Sequence, residues 1–328
     1  MNRSVEYLLR RLGFYALAAW VAITLNFLIP RMMPGDPAQI MFARFKGEMS
    51  PAAIAALRET FGITDAPIWQ QYFTYLRHLL SGDLGVSVSN FPEPVVSVIA
   101  TGLSWSIFLA GSALIISFLV GTSLGALAAW RRGGLLDSIT PPLLALLGAF
   151  PYFWMAMLAL FIFGFGLGWF PLWHAYPEGT SPGLNLPFLL GALYHAALPA
   201  ATMVIASLGG WMLAMRNTMV GILGSDYITY ARARGLAPRR VLIRYAARNA
   251  LLPNITGFGM ALGFVLGGAL LTEIIFSYPG QGYLLIQAVR AQDYPLMQGL
   301  FLTITLAVLG ANWLVDIVTL MLDPRTRR

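Results

Sequence analysis

A chain of 328 residues with 58% hydrophobic and only 11% charged side chains lies outside the range of soluble domains, where about a quarter of residues carry charge. The composition places it in a bilayer, and the absence of cysteine excludes a disulfide framework, a thiol nucleophile and a thiolate metal site. The net charge of +7 would suit a nucleic-acid partner only if the basic residues were gathered for one, so their positions have to be read before any partner is inferred.

The first eleven residues carry Arg3, Arg10 and Arg11, and residues 12–29 form an uncharged run about long enough to cross the hydrocarbon core. The run is longer than the apolar region of a signal peptide. It leads into Pro30, Arg31 and Pro34 rather than a small-residue cleavage site, so residues 1–30 read as a cytoplasmic start and a retained first span. Residues 31–100, opening on MPGDP at 33–37, are too charged for lipid and read as an extracytoplasmic helical domain. One helix is expected from Ser50 and Pro51, with Ile54, Leu57 and Phe61 on one face and Gly62 at its end. A second is expected from about residue 66, where Trp69, Tyr72, Phe73, Leu76 and Leu80 keep helical spacing up to Ser81 and Gly82; this aromatic stripe reads as the small core of the domain.

Residues 101–328 supply five more spans. The second is expected over 103–130, stopped by Arg131 and Arg132, and the third over 139–168, with Pro141, Pro142 and Pro151 predicting kinks. After a second outer loop at 169–187, the fourth runs over 188–215 and ends at Arg216. The fifth, 255–276, is crowded with Gly257, Gly259, Gly263, Gly267 and Gly268, which let helices approach closely. The sixth covers 299–322. Two carboxylates fall within spans, Glu273 near the outer end of the fifth and Asp316 near the inner end of the sixth. Each is a candidate functional group, and each is equally readable as a carboxylate that reaches water or a partner helix.

Between the fourth and fifth spans lies the one long basic stretch, within 217–253, whose residues 226–253 read DYITYARARGLAPRRVLIRYAARNALLP. It predicts two short helices. Ser225 can cap the first and Asp226 suits its positive end; Gly235 is the expected stop, and Pro238 can open the second without needing an N–H. Arg240, Arg244 and Arg248 then share one face, beside an apolar stripe of Val241, Leu242 and Tyr245.

With this topology the inner segments hold fifteen of the twenty-one basic residues against four acids, and the outer segments hold the other six against eight. The bias puts both termini in the cytoplasm and accounts for most of the net charge without nucleic acid. The single lysine, Lys46, falls in the outer domain, so the chain has no GxxxxGK[ST] phosphate loop and is not its own P-loop ATPase. His78, His174 and His195 are too scattered for a metal site, and no nucleophile-and-base arrangement is visible.

The run ARARG, then RR, an apolar patch and RNALLP resembles the EAA loop of ABC importer permeases in its dipeptide, oligopeptide and nickel branch. MPGDP, GDLGVSVS at 82–89, TEIIFSYPGQGYLLIQAV and DYPLMQG within 272–299, and the ending NWLVDIVTLMLDPR extend the resemblance over nearly the whole chain. Ala231, Arg232, Ala233 and Gly235 stand on the loop's core, while Thr229 and Tyr230 replace the Glu-Ala that names the motif, as is common in the peptide branch. The resemblance implies an all-α polytopic membrane protein with six transmembrane helices in the type I importer permease fold, forming half of a translocation pathway. It implies a second homologous permease subunit, two cytoplasmic ATPase subunits or domains that use ATP and magnesium, and an extracytoplasmic substrate-binding protein, in a prokaryotic inner membrane. No cofactor is expected on this chain. Asp226, Tyr227, Ile228, Ala231, Arg232, Ala233, Arg234 and Gly235 are the expected ATPase-coupling residues, with Tyr227 and Ile228 packing in the ATPase groove and Arg232 and Arg234 pairing with its acids. Di- or oligopeptides are the favoured cargo over oligosaccharides and nickel chelates, and selectivity is expected mostly in the binding protein. An ion-coupled secondary transporter would show internal repeats and mid-membrane ionisable groups, and an intramembrane enzyme would show a catalytic constellation; neither pattern is convincing here.

Overall fold

The computed structural model describes residues 3–32, 66–266 and 269–322, and the expected helix from Ser50 to Gly62, the MPGDP turn, Gly267, Gly268 and the carboxyl-terminal DPRTRR lie outside them. The described residues fold into helices α1 (Arg3–Met32), α2 (Ile68–Leu80), α3 (Val95–Trp130), α4 (Leu135–Ala149), α5 (Tyr152–Gly166), α6 (Leu186–Leu223), α7 (Asp226–Ala233), α8 (Pro238–Arg240 running on through Val241–Ala247 into Arg248–Leu266), α9 (Leu270–Ile275), α10 (Gln281–Arg290) and α11 (Tyr294–Leu322). No strand occurs among the described residues, where β pairing is limited to one bridge between Val86 and Pro94.

Four of these helices, within α1, α3, α6 and α11, are long and apolar enough to cross a membrane, and α4 with α5 makes a fifth crossing if the bent pair is one span. The expected third span is therefore two helices at 91°. The bend has a local cause. Phe150 precedes Pro151, whose ring disfavours helical backbone at the residue before it, and Phe150 is extended at φ −83°, ψ 138°. Pro141 and Pro142, expected to kink, lie inside α4 without ending it. The fourth span does not stop at Arg216 but continues to Leu223. Arg216 can sit inside the helix because its Nε donates to Asp137 Oδ1 at 2.5 Å, and the other oxygen of Asp137 accepts from the Gly133 N–H at 2.9 Å. The sixth span begins earlier than expected, at Tyr294, and the fifth is split into α8 and α9.

The α3–α6 pair is the densest contact in the fold. A Cβ on Gly121 would fall 2.7 Å from Trp211 Cβ, and one on Gly125 would fall 2.4 Å from the Met212 carbonyl oxygen, so both positions need glycine for the helices to touch. In α8, Gly259 and Gly263 approach Val315 and Ala311 of α11, as the small residues of that span predict. Helix α1 is fastened to α11 by an exchange between Asn26 and Gln298: each side-chain amide donates to the other residue's carbonyl, at 2.6 and 3.3 Å.

The expected aromatic core on α2 takes a different form. No residue of α2 is buried, and Trp69 and Phe73 are more than half exposed. Tyr72 and Tyr75 turn instead toward Phe27 of α1, with ring centroids 5.1 and 5.5 Å away, and the Tyr72 hydroxyl lies 2.8 Å from Thr24 Oγ1. The helix is docked on the first span, and among the described residues nothing covers its Trp69–Phe73 side.

Candidate functional site

The basic elbow forms at one end of the bundle. Ser225 occupies the N-cap position of α7, but its hydroxyl donates back to the Ile222 carbonyl and does not accept from the first turn, so the expected side-chain cap is absent. At the other end Gly235 adopts φ +72°, its N–H donates to the Arg232 carbonyl at 2.9 Å, and the Leu236 N–H donates to the Ala231 carbonyl at 3.3 Å. These two bonds form the Schellman closure that a left-handed glycine permits. Pro238 then opens the next helix at its first position.

Residues Val241–Ala247 are wound as a π-helix, and this shifts the expected apolar stripe. The wider turn spaces the buried positions as Val241, Ala246 and Ala250, while Leu242 and Tyr245 pack at their margin. Arg240, Arg244 and Arg248 remain exposed.

The elbow is held to the bundle by α7's inner face. Ile228 is fully buried and Ala231 is 3% exposed, and both join Ala129 of α3, Met215 and Met219 of α6, and Val241, Ala246 and Ala250 of α8 in one apolar cluster. This corrects the role expected of Ile228: burial in its own chain leaves nothing of it for a partner's groove. Asp226, Tyr227, Arg232, Ala233, Arg234 and Gly235 are exposed, as are Thr229 and Tyr230. The Arg232 guanidinium lies 5.4 Å from the Trp130 ring centroid, and the Arg234 guanidinium 5.8 Å from the Tyr230 ring centroid. Asn249 Nδ2 donates to the Tyr227 hydroxyl at 3.1 Å and to the Tyr245 carbonyl at 2.9 Å, fixing the side of α7 away from Arg232. The short helix thus has an apolar underside packed through two residues against α3, α6 and α8 and a polar outer face.

Glu273 is placed elsewhere, fully buried between α3, α9 and α10. Its Oε1 accepts from Ser106 Oγ at 2.7 Å and the Ala269 N–H at 3.3 Å, and its Oε2 accepts from the N–H groups of Gly282 at 2.7 Å and Tyr283 at 3.2 Å. The carboxylate thereby caps the N-terminus of α10 from a different helix, while Ser106 Oγ accepts from the Gln281 N–H at 2.8 Å. A Cβ at Gly280 would lie 2.3 Å from the Glu273 carboxyl carbon, which is why the YPGQG turn needs glycine there. Above this hub the indole of Trp105 stacks on Tyr176 of the 167–185 loop at 5.7 Å and meets Tyr278 edge-on at 5.8 Å. Asp316 accepts from the Tyr15 hydroxyl at 2.7 Å and lies 3.5 Å from Arg11 Nε, so it joins α11 to α1 and is not part of the elbow. His195 Nδ1 lies 2.8 Å from the Gly191 carbonyl oxygen within its own helix.

A second buried carboxylate escaped the sequence reading. Asp293 Oδ2 accepts from Ser87 Oγ at 2.6 Å and from the N–H and hydroxyl of Ser89 at 2.8 and 2.6 Å, while Oδ1 accepts from the Leu296 N–H at 3.1 Å. It caps α11 and staples the 82–89 segment to it. The signal was available: an aspartate two residues before Pro295, at the start of an apolar run, is a helix-start pattern.

An all-helical membrane protein with a clamped basic elbow at one end and two carboxylate-capped helices elsewhere is the class these features define. Residues 121–328 match the family of binding-protein-dependent transport system inner membrane components, and residues 4–106 match that system's N-terminal membrane component. The chain belongs to the family of binding-protein-dependent transport system inner membrane components. It is 33% identical over 325 residues to the dipeptide transport system permease protein of Lactococcus lactis subsp. cremoris, covering 98% of this chain and 99% of that one. It is 35% identical over 341 residues to the dipeptide transport system permease protein of Escherichia coli K12, and 33% identical over 337 residues to the di/tripeptide transport system permease protein of Pseudomonas aeruginosa, with the same coverage. The chain is thus an ABC-transporter permease subunit and not an enzyme; ATP hydrolysis belongs to a separate ATPase.

Proposed function

We propose that this permease forms one half of a peptide-importing pathway and that α7, with the turn at Arg234 and Gly235, is the surface on which an ATPase subunit pulls. The observation that carries the proposal is the division of α7 into two faces. Ile228 and Ala231 are sunk in the apolar cluster, while Tyr227, Tyr230, Arg232, Ala233 and Arg234 stand outside it, with Asp226 at the first turn. A lever needs both a rigid root and a free gripping face. Peptide cargo is the reading supported by the dipeptide and di/tripeptide permeases to which the chain is similar over nearly its full length.

In this arrangement α8 with α9 is the fifth span and brings the number of crossings to six. Residues Arg248–Leu266 alone rise about 28 Å at 1.5 Å per residue, close to the ~30 Å hydrocarbon thickness. Residues 1–30 hold the cytoplasmic start and first span, 31–100 the extracytoplasmic domain, and 101–328 the five-helix core with its coupling loop at 217–253. Both termini then face the cytoplasm, consistent with the arginine bias. A second, similar permease completes the pathway, two ATPase subunits or domains use ATP and magnesium below it, and a substrate-binding protein delivers cargo from the other side.

The test is site-directed crosslinking in the assembled transporter. A Tyr230→Cys substitution should crosslink to an ATPase subunit, while Leu184→Cys, on the 167–185 loop, should not. Reaction of Tyr230→Cys with an impermeant thiol reagent from outside intact cells, or no ATPase crosslink during turnover, would defeat the lever assignment.

A further inference from the structure

Beside the elbow, an open groove of about 520 Å³ runs between α3, the end of α6 and the start of α8. Its walls include Phe118 and Leu119 of α3, Met215 of α6 and Leu251 of α8, and its rim carries Arg244 and Arg248. Leu119 is 56% exposed. Neither guanidinium has an ion-pair or hydrogen-bond partner among the described residues, in contrast to Arg216, which is paired with Asp137. On α3 the groove residues run from Phe118 to Ala126, about 12 Å of helix, within the depth of one leaflet of a ~30 Å hydrocarbon core.

We infer that this groove is a binding site for an anionic phospholipid, with the headgroup phosphate between Arg244 and Arg248 and an acyl chain laid along Phe118, Leu119 and Leu251. Charge and polarity select that occupant. The two exposed arginines, unpaired among the described residues, favour an anion, and the apolar trough behind them favours a hydrocarbon chain. One molecule class supplies both. A helix of a partner protein would have to place acidic side chains at the rim and an apolar face in a trough of this size at the same time. A free phosphate would satisfy the arginines and leave the trough open to water or detergent. The site does not depend on which subunit grips α7, so it can fail while the lever assignment stands, and the reverse.

The experiment uses the intact transporter reconstituted in vesicles of phosphatidylcholine with one-fifth phosphatidylglycerol, re-extracted in mild detergent, and analysed for retained phosphatidylglycerol by native mass spectrometry. The unaltered protein should keep phosphatidylglycerol per permease chain through washing with inorganic phosphate. The Arg244→Gln/Arg248→Gln double variant should lose at least nine-tenths of it, and Arg239→Gln, outside the groove, should lose none. Leu119→Trp keeps both charges but fills the trough, and it should lower retention several-fold; it decides the matter if the double arginine variant does not assemble. Equal retention in unaltered protein and Leu119→Trp overturns the proposal. Displacement by phosphate alone overturns it as well, as does a high-yield Leu119→Cys crosslink to the second permease subunit.

Discussion

Replacing Glu273 separates two roles for a buried carboxylate. As built, its two oxygens accept four hydrogen bonds, one from Ser106, one from the backbone of α9's start and two from the first turn of α10. Glu273→Ala leaves those donors without partners in a site with no solvent exposure. A buried group left unsatisfied costs about 1–3 kcal/mol, and a lost cap about 1 kcal/mol, so with partial relaxation the variant should be destabilised by about 3–5 kcal/mol. Glu273→Gln keeps one oxygen for Gly282 and Tyr283 and can turn its amide toward Ser106, so it should cost about 1–2 kcal/mol. The assay is the fraction of detergent-solubilised protein surviving graded heating on size-exclusion chromatography, run beside uptake in cells. The expected order is a large loss for Ala, a small one for Gln, and uptake that follows the amount of surviving protein. If Glu273→Gln abolished uptake at unchanged thermal survival, the carboxylate would be acting on cargo or protons during transport, and the capping argument would be refuted.

The α3–α6 contact should be the least tolerant in the bundle: Gly125→Ala puts a methyl against backbone at Met212 and should cost about 1–3 kcal/mol, read as lower thermal survival, while Gly13→Ala on α1, where no described residue lies within contact, should cost nothing. Asp293→Ala removes the α11 cap and frees Ser87 and Ser89. It should cost about 2–4 kcal/mol and raise protease cleavage within residues 82–94. At the elbow, Gly235→Ala forces a side chain into the left-handed region at about 1–2 kcal/mol, and Arg232→Glu removes the cation from the Trp130 ring; both should leave membrane insertion unchanged and reduce uptake per molecule, measured against expression by immunoblot.

Much of this was legible in the chain itself, for identifiable reasons. Spans are announced by uninterrupted apolar length, and the elbow's closure by a glycine–proline pair at a fixed offset, because Gly235 and Pro238 act through their own backbones. What failed to show were interactions needing a second segment. Ile228 looks like any exposed apolar residue of a short helix until Met215, Met219 and Ala246 are brought beneath it. The π turn at Val241–Ala247 has no compositional mark, and it moved the buried seam from Tyr245 to Ala246. Glu273 and Asp293 are both caps, yet Asp293 stands next to the helix it caps and follows a local rule. Glu273 caps a helix eight residues ahead through a turn that only Gly280 makes close enough, so its position within a span suggested chemistry instead.

The two regions are mechanically joined. Helix α3 ends at Trp130 beneath Arg232 and, some 24 residues earlier, offers Ser106 to Glu273. Helix α8 begins in the elbow cluster at Val241 and leads toward α9, which carries Glu273. Each strut therefore has one end in the elbow and the other at or next to the hub, and close-packed helices transmit displacement as units rather than absorbing it. Each strut contains a π-helical segment, at Ile107–Gly111 directly after Ser106 in α3 and at Val241–Ala247 beside the elbow in α8. If α7 is the surface on which the ATPase pulls, as proposed above, the pull would run along α3 and α8 and reach α10 through the carboxylate that holds its first turn.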